Sequence, residues 1–421
     1  MKKEILFIII ACIIAIGACM AGEKFNQHKE EEQANLWKNK IHAAGEPLTI
    51  WIAADLHYLS PDLEKGSAYF AEMMKESDGK LTEYSSQITD AFLEKAVHQK
   101  PDALILAGDL TFNGELKSLQ ELAGKLKRVQ DAGIPVLVIP GNHDIAYPYA
   151  AEYKGDEVTE AENISQKQFK DICGEFGFKY GQASDSASFS YIYSLAEDVS
   201  VLLLDANTEN HAGVIREETL NWAQEALESK ETSHALTFSV THQNVLPQNP
   251  LLSEGFVLKN DREVQSLLKT GGIKNNFSGH SHILHEAKAE GLRDLAVSSL
   301  TVSPLQYVVV NIDEKRNMTY SAKKVDIMQE KAAMRFKECT ERQIFRELDP
   351  LSIEKERKRK MAEFAADVNK AYFAGTVDNT DAYRYEEGWK LWQKYGRGTY
   401  WYTYLNSILT GSSFDKISRS C

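Results

Sequence analysis

The sequence predicts an α/β fold in which two β-sheets pack as a sandwich flanked by helices, with a helical appendage after it. Three observations carry that prediction. Between Leu48 and Asp144, apolar runs of strand length alternate with stretches of helical spacing, the order of right-handed strand–helix–strand units. From Ile283 onward, strand-like runs follow one another through short links, which points to a second sheet. Past about Val325 only helical spacing remains.

Taken in order, residues 23–46 are polar with a few apolar positions (Phe25, Leu36, Trp37, Ile41) and read as a linker. The first strand runs from Leu48 to Ala54. Ile88, Phe92 and Ala96 mark a helix between Thr82 and Gln99, closed by Pro101 ahead of the strand Ala103 to Ala107. A second amphipathic helix, Leu116 to Ala132, leads through Gly133 into IPVLVIPGNHD, Ile134 to Asp144. An aromatic segment, Tyr147 to Tyr153, comes next, and then a helix around Gln166 to Phe176. Strands at Ser188 to Leu195 and Val199 to Asp205, a helix at Glu217 to Glu228 and a strand Ala235 to Val240 follow. Consecutive strands are expected at Asp294 to Ser299, Tyr307 to Ile312 and Met318 to Ser321. The expected division is a targeting segment at 1–22, a linker at 23–46, the main α/β domain at 47–325 and a helical C-terminal domain at 326–421, where Phe336, Phe364, Trp389 and Trp392 mark helices.

Chemistry collects where the strands stop. The run ending at Pro140 and Gly141 is followed at once by Asn142, His143 and Asp144. Four other runs end alike: TIWIAADLH (Asp55, His57), ALILAGD (Asp109), LTFSVTH (His242) and NNFSGHSH (His280, His282). A strand places only its last residues at the sheet rim, so five such strands side by side gather these side chains at one edge. Asp55, Asp109 and Asn142 offer oxygen; His57, His242, His280 and His282 offer imidazole. That mixture suits two metal ions ~3.5–4 Å apart, which stabilise both the attacking and the leaving oxygen of a phosphate ester.

The blocks DLH, GDLTFNG, GNHD, TH and GHSH, in that order over about Leu48 to Ile312, resemble the calcineurin-like metallophosphoesterase superfamily. Within it the chain is most similar to bacterial exported phosphodiesterases of the class III cyclic-nucleotide type, some of which carry a C-terminal helical domain. The resemblance implies an αββα catalytic fold. It also implies that Asp55, His57 and His282 hold one divalent ion, that Asn142, His242 and His280 hold the other, and that Asp109 bridges them. Mn, Fe and Zn all suit this ligand set. The implied nucleophile is a metal-bridging hydroxide. His143, left out of coordination, would protonate the departing alkoxide or stabilise charge there, while Asp144 either orients His143 or caps the turn. Two departures narrow the subfamily. GDLTFNG lacks the arginine of the protein phosphatases, and Phe112 stands where purple acid phosphatases have a metal-binding tyrosine.

Composition sets the partners. Lys and Arg number 48 against 61 Asp and Glu, a net charge of -13, which argues against binding duplex nucleic acid through its phosphates. A small phosphate-ester substrate must instead find positive charge locally. Lys2 and Lys3 precede an uncharged apolar run, Ile5 to Gly22, that is an export signal or a marginal membrane span. Ile16 to Cys19 resemble a lipobox, which would imply a lipoprotein attached through Cys19; a plain uncleaved anchor is the other reading. Either way the domain is expected outside a bacterial membrane, at the cell surface. Cys173, Cys339 and Cys421 have no metal-type spacing and read as free thiols or one disulfide. Lys355 to Lys360 and the aromatic run Tyr383 to Tyr404 read as a solvated face and as packing. The function expected is a metal-dependent phosphodiesterase, with cyclic nucleotides as the first substrate class. The alternatives are a phosphomonoesterase or a cell-wall or nucleotide phosphodiesterase with the same metals, and, from another class, a surface binding protein with an inactive hydrolase core.

Overall fold

A computed structural model describes residues 41–229, 236–377 and 380–410; the targeting segment with Cys19, most of the linker and Cys421 lie outside the described residues. Two sheets form its centre. The first has five strands in the order Met318–Lys324, Gln306–Ile312, Leu48–Ala53, Ala103–Ala107, Val136–Ile139. Leu48–Ala53 runs parallel to Ala103–Ala107, which runs parallel to Val136–Ile139, with Ile50 opposite Ala103 and Leu104 opposite Val136. The second has seven, in the order His285–Ala289, Leu292–Ala296, Asn275–Ser278, Leu236–Thr241, Val199–Leu204, Tyr191–Ala196, Ala183–Ser184.

Alternation along the strands decides what each sheet faces. Tyr191, Tyr193, Val201, Leu203, Phe238 and Val240 turn inward and share one core with Val136, Leu137 and Val138 of the other sheet. Their neighbours Ile192, Leu202 and Leu204 point the other way, onto Ala223, Val264 and Leu268 of the helices Glu217–Glu228 and Asp261–Thr270. A polar stitch crosses the sandwich at Tyr191. The buried Tyr191 hydroxyl donates to the Val138 carbonyl (2.9 Å) and accepts from the Val138 amide (3.0 Å). The helices Ser85–Gln99 and Leu116–Asp131 pack Ile88, Phe92, Leu119 and Leu122 into the same core.

The expected α/β class with two sheets is the observed one, and the differences are local. The helix placed over Thr82 to Gln99 opens with a single 3-10 turn, Thr82–Tyr84. The strand expected at Asp294 to Ser299 lies at Leu292–Ala296, because the chain then leaves the seven-stranded sheet for the five-stranded one. Sequence periodicity did not mark the helices Ala68–Glu76 and Asp261–Thr270, or the hairpin of Ala151–Lys154 with Glu157–Glu160.

After the last strand come the helices Gln329–Leu348, Lys355–Phe373, Thr380–Tyr385, Glu387–Tyr395 and Tyr400–Thr410. They build a core of their own around Ile344, Phe364, Val368, Trp392 and Leu405, which Ile283 and Ala296 join from the sheet side. In the basic run, Arg359 pairs with Glu356 and Glu363, and Lys360 with Glu387 (2.9 Å). Cys173 and Cys339 are buried free thiols. Among the described residues no helix is long and apolar enough to cross a membrane.

Candidate metal centre

The strand ends converge as their sequence positions require. Beyond the sheet, the rim loops keep pairing: Asp55 N–H donates to Gly108 O, His57 N–H to Asp109 O and Tyr58 N–H to Leu110 O, each at 3.0 Å, and Gly279 N–H to His242 O at 2.9 Å. Glycine supplies the close approach. A Cβ on Gly141 would lie 2.2 Å from Asp109 Oδ1, and one on Gly279 would lie 2.7 Å from Asp55 Oδ2. Asp55, His57, Asp109, His280 and His282 all adopt left-handed backbone, with φ between 42° and 65°. For non-glycine residues that conformation is uncommon and concentrates at functional sites.

Two clusters result. In one, donor atoms of Asp55, His57 and His282 lie within 4.8 Å of one another; in the other, those of Asp109, His242 and His280 do. His57 Nε2 is 3.1 Å from His282 Nε2, and His282 Nε2 is 3.5 Å from Asp55 Oδ1. His242 Nε2 is 3.2 Å from Asp109 Oδ1 and 3.1 Å from Asn142 Oδ1, which brings Asn142 to the second cluster. Asp109 links the two, its other oxygen lying 3.8 Å from His57 Nε2. Ligands each about 2.0–2.2 Å from a common ion stand about 3–3.5 Å apart, so this donor set fits metal ions. Hydrogen bonds fix which imidazole nitrogen is free. His242 Nδ1 is held by the Ala107 carbonyl (2.8 Å), leaving Nε2, and His280 Nε2 by the Gly255 carbonyl (2.7 Å), leaving Nδ1.

Asp109 and the imidazoles around it perturb one another strongly. Burial would push the Asp109 carboxyl up, but the imidazoles of His242 and His143 outweigh it and hold it well below the usual carboxylate range. His242 is conversely pushed up to about 9, Asp109 overcoming the effect of burial. Burial, and then the Lys80 ammonium, keep His57 well below the usual imidazole range.

His143 stands beside the clusters. Its ring meets His57 edge-on at 5.1 Å and stacks on Tyr147 at 4.4 Å. Nδ1 lies 2.8 Å from the Phe112 carbonyl and 3.3 Å from Asn113 Oδ1, so these groups orient the imidazole. Of the two roles expected for Asp144, orienting His143 or capping the turn, the carboxylate's hydrogen bonds are those of the second. Its buried carboxylate accepts from the amides of Gly141 (2.7 Å), Leu110 (3.0 Å) and Thr111 (2.8 Å) and from the Thr111 hydroxyl (2.8 Å), which makes it the brace between the second and third blocks. Phe112 packs edge-on against Phe70, which also meets Tyr153, in a satellite cluster. A cavity of about 600 Å³ opens beside His143, lined among others by Tyr69, Met73, Phe112, Tyr149 and Lys80. Of the remaining histidines described, His42 pairs with Glu46 and Asp102, and His285 hydrogen-bonds Gln248.

Sequence reasoning missed Asn113, Gln243 and Lys80. Asn113 and Gln243 sit inside or next to the blocks, and Gln243 Nε2 reaches Asn142 Oδ1 at 3.4 Å. Adjacency to a block was the available signal for those two. Nothing near Lys80 in the sequence marks it.

A two-sheet sandwich with paired acid–imidazole clusters on its rim is the architecture of a dinuclear metal-dependent hydrolase. A family model described as calcineurin-like phosphoesterase matches residues 48–284, more than half of the chain, and a second, the C-terminal domain of cyclic nucleotide phosphodiesterase, matches residues 329–415. The chain belongs to the calcineurin-like phosphoesterase family. It is similar to a protein of Fibrobacter succinogenes named probable cyclic nucleotide phosphodiesterase, 24% identical over 43% of this chain and 57% of that one. It is also similar to one of the same name from Pseudoalteromonas, 23% identical over 50% of this chain and 66% of that one. The matches thus span about three fifths of the length of these curated relatives. Among solved structures, a dimetal phosphatase from Danio rerio aligns over 66% of this chain and 97% of its own with 14% identity and a TM-score of 0.49.

Proposed function

We propose that the protein is a metal-dependent phosphodiesterase acting on small phosphate esters, with cyclic nucleotides as the leading substrate class. The observation that carries this reading is the pair of donor clusters joined through Asp109. Asp55, His57 and His282 would hold one divalent ion and Asn142, His242 and His280 the other. Bound there, the ions would supply Lewis acidity toward phosphate oxygens and lower the pKa of a coordinated water to roughly 7. The chain's own residues do the rest. The Phe112 carbonyl and Asn113 hold His143 by Nδ1, leaving Nε2 as the atom that moves a proton to the departing oxygen. The cavity beside it, with Tyr69, Met73, Phe112 and Tyr149, receives the organic part and excludes water. The matching C-terminal domain model and the names of the two relatives support a cyclic nucleotide as that substrate.

Stripped protein reloaded with Mn, Fe or Zn and offered bis(4-nitrophenyl) phosphate, 4-nitrophenyl phosphate and 3′,5′-cyclic nucleotides tests the reading. Metal-dependent cleavage with diesters preferred supports it. Preference for the monoester would favour a phosphomonoesterase, and no cleavage with any metal would leave a surface binding protein. We further propose that residues 1–22 tether the protein outside the membrane, through a lipid on Cys19. Release of Cys19→Ala from the membrane fraction tests the lipid attachment, and its retention would favour an uncleaved anchor.

A further inference from the structure

The long helix Gln329–Leu348 grips one short stretch of the catalytic half. Arg335 donates to the carbonyls of Met74 (3.1 Å) and Lys80 (3.4 Å) and pairs with Glu83 (2.6 Å). Cys339 Sγ and the Arg342 guanidinium both reach the Lys75 carbonyl, and Arg346 pairs with Glu76 (3.2 Å). Phe336 closes over Gly79, where an added Cβ would lie 3.4 Å from its ring. From the other side, Leu81 N–H donates to Thr301 O (2.9 Å), in the crossover whose Ser299 hydroxyl holds the Asp55 carbonyl (2.8 Å). Residues 74–83 are therefore fastened between the C-terminal helix and the rim of the metal centre.

That stretch carries Lys80, which is only 9% exposed. Its ammonium is 2.8 Å from Asp78 Oδ2, and the Asp78 side chain is 50% exposed. An ammonium has three N–H donors, and one ion pair with a half-exposed carboxylate leaves capacity for another anion. Lys80 lines the cavity beside His143 and is the one Lys or Arg among the residues lining it. Asp78 and Glu160 line the same cavity, so Lys80 is the one ammonium there beside two carboxylates, and in a chain of net charge -13 it is the cation that an anionic substrate entering the cavity can meet.

We propose that Lys80 contacts a phosphate oxygen of the substrate, and that the C-terminal helix, through Arg335, is the device that positions it. The assignment rests on the phosphoesterase reading of the neighbouring clusters. It gives the C-terminal helices a part in substrate binding: they hold a cation that no motif block supplies. Lys80 is then a binding residue and Arg335 a positioning residue.

The test uses the metal-loaded protein with Lys80→Met, Lys80→Arg, Asp78→Asn and Arg335→Gln, each checked for metal content and thermal midpoint. Binding of inorganic phosphate is measured by calorimetry, and kcat and KM on bis(4-nitrophenyl) phosphate. Losing one charge-assisted hydrogen bond to an anion should weaken phosphate binding by about tenfold or more in Lys80→Met, with KM rising in step and metal content unchanged. Lys80→Arg should recover most of the loss. Arg335→Gln should raise KM by a smaller factor while leaving kcat within about twofold. Asp78→Asn separates a phosphate contact from a loop brace: it should bind phosphate as well as the parent or better, whereas a brace would make it fail as Lys80→Met does. Phosphate affinity and KM within twofold of the parent in Lys80→Met overturn the inference while leaving the phosphoesterase reading standing. Phosphate binding that Lys80→Met weakens, in a protein that cleaves no ester with any metal, sustains the inference and removes that reading. A parent protein that neither binds phosphate nor cleaves esters ends both.

Discussion

Asp144→Ala distinguishes a brace from a catalytic partner. The buried Asp144 carboxylate accepts three backbone N–H groups and one hydroxyl. Truncation leaves the amides of Gly141, Leu110 and Thr111 without that acceptor, while the Thr111 hydroxyl can rotate. A buried donor left unsatisfied costs ~1–3 kcal/mol, so the loss is roughly 3–6 kcal/mol after partial relaxation. Whole-domain stability is about 5–15 kcal/mol, so this is a large fraction. The same amides set the spacing of Asp109 from Asn142, so metal content should fall together with stability. Asp144→Asn should be intermediate, since its amide oxygen still accepts but its NH2 faces the N–H groups of the turn. Urea unfolding with and without added metal, followed by elemental analysis of the purified protein, reads both quantities. An Asp144→Ala protein within about 1 kcal/mol of the parent, with full metal content and only turnover reduced, would refute this account and restore Asp144 as a partner of His143.

Asp109→Ala should lose metal and activity together, because Asp109 approaches both clusters, and elemental analysis showing retained metal would contradict that. Gly141→Ala should be as damaging as losing a ligand, since its Cβ would overlap Asp109 Oδ1 at 2.2 Å; activity within threefold of the parent would show that the rim yields. Glu115 is buried, with Oε1 unpartnered, and burial pushes its carboxyl up from 4.5 to about 7. The folded state then holds the proton more tightly than the unfolded chain, so the stability it contributes is present below about pH 4.5 and is lost as pH rises through about 7. Glu115→Gln should therefore gain roughly 3 kcal/mol relative to the parent between pH 4.5 and 8. Parallel urea midpoints for the two proteins across that range would count against it.

Most of the sheet was legible because buried strands such as Ala103–Ala107 are continuous apolar runs with abrupt ends. The donors were legible for the same reason: each lies within a few residues of such an end, and a sheet turns that position into a place on the rim. What escaped has a physical cause in each case. The strand Glu157–Glu160 is fully exposed and carries no apolar alternation. The helix Ala68–Glu76 buries only Phe70 and Met74, too few positions to establish a period. Lys80 is placed by Arg335, 255 residues away along the chain, so no local pattern could mark it. Asp144 was named, but its role depends on which of two neighbours its carboxylate faces, and a sequence carries no direction for a side chain.

The left-handed donors explain why the blocks contain more letters than the chemistry needs. Asp55, His57, Asp109, His280 and His282 each hold a conformation that costs about 1–3 kcal/mol, a sum comparable to the stability of a whole domain. Such strain persists only where neighbours over-determine it, and the neighbours here belong to the same blocks or to the crossover beside them. Asp144 ties Leu110 and Thr111 to Gly141, Ser299 and Thr301 hold the Asp55 carbonyl, and the His280 amide donates to the Asp55 carboxylate at 2.9 Å. Gly141 and Gly279 stay small so that the loops can touch. Each block is thus divided between residues that supply the donor clusters and residues that hold those donors in place, and removing one of the second kind should cost function by releasing one of the first.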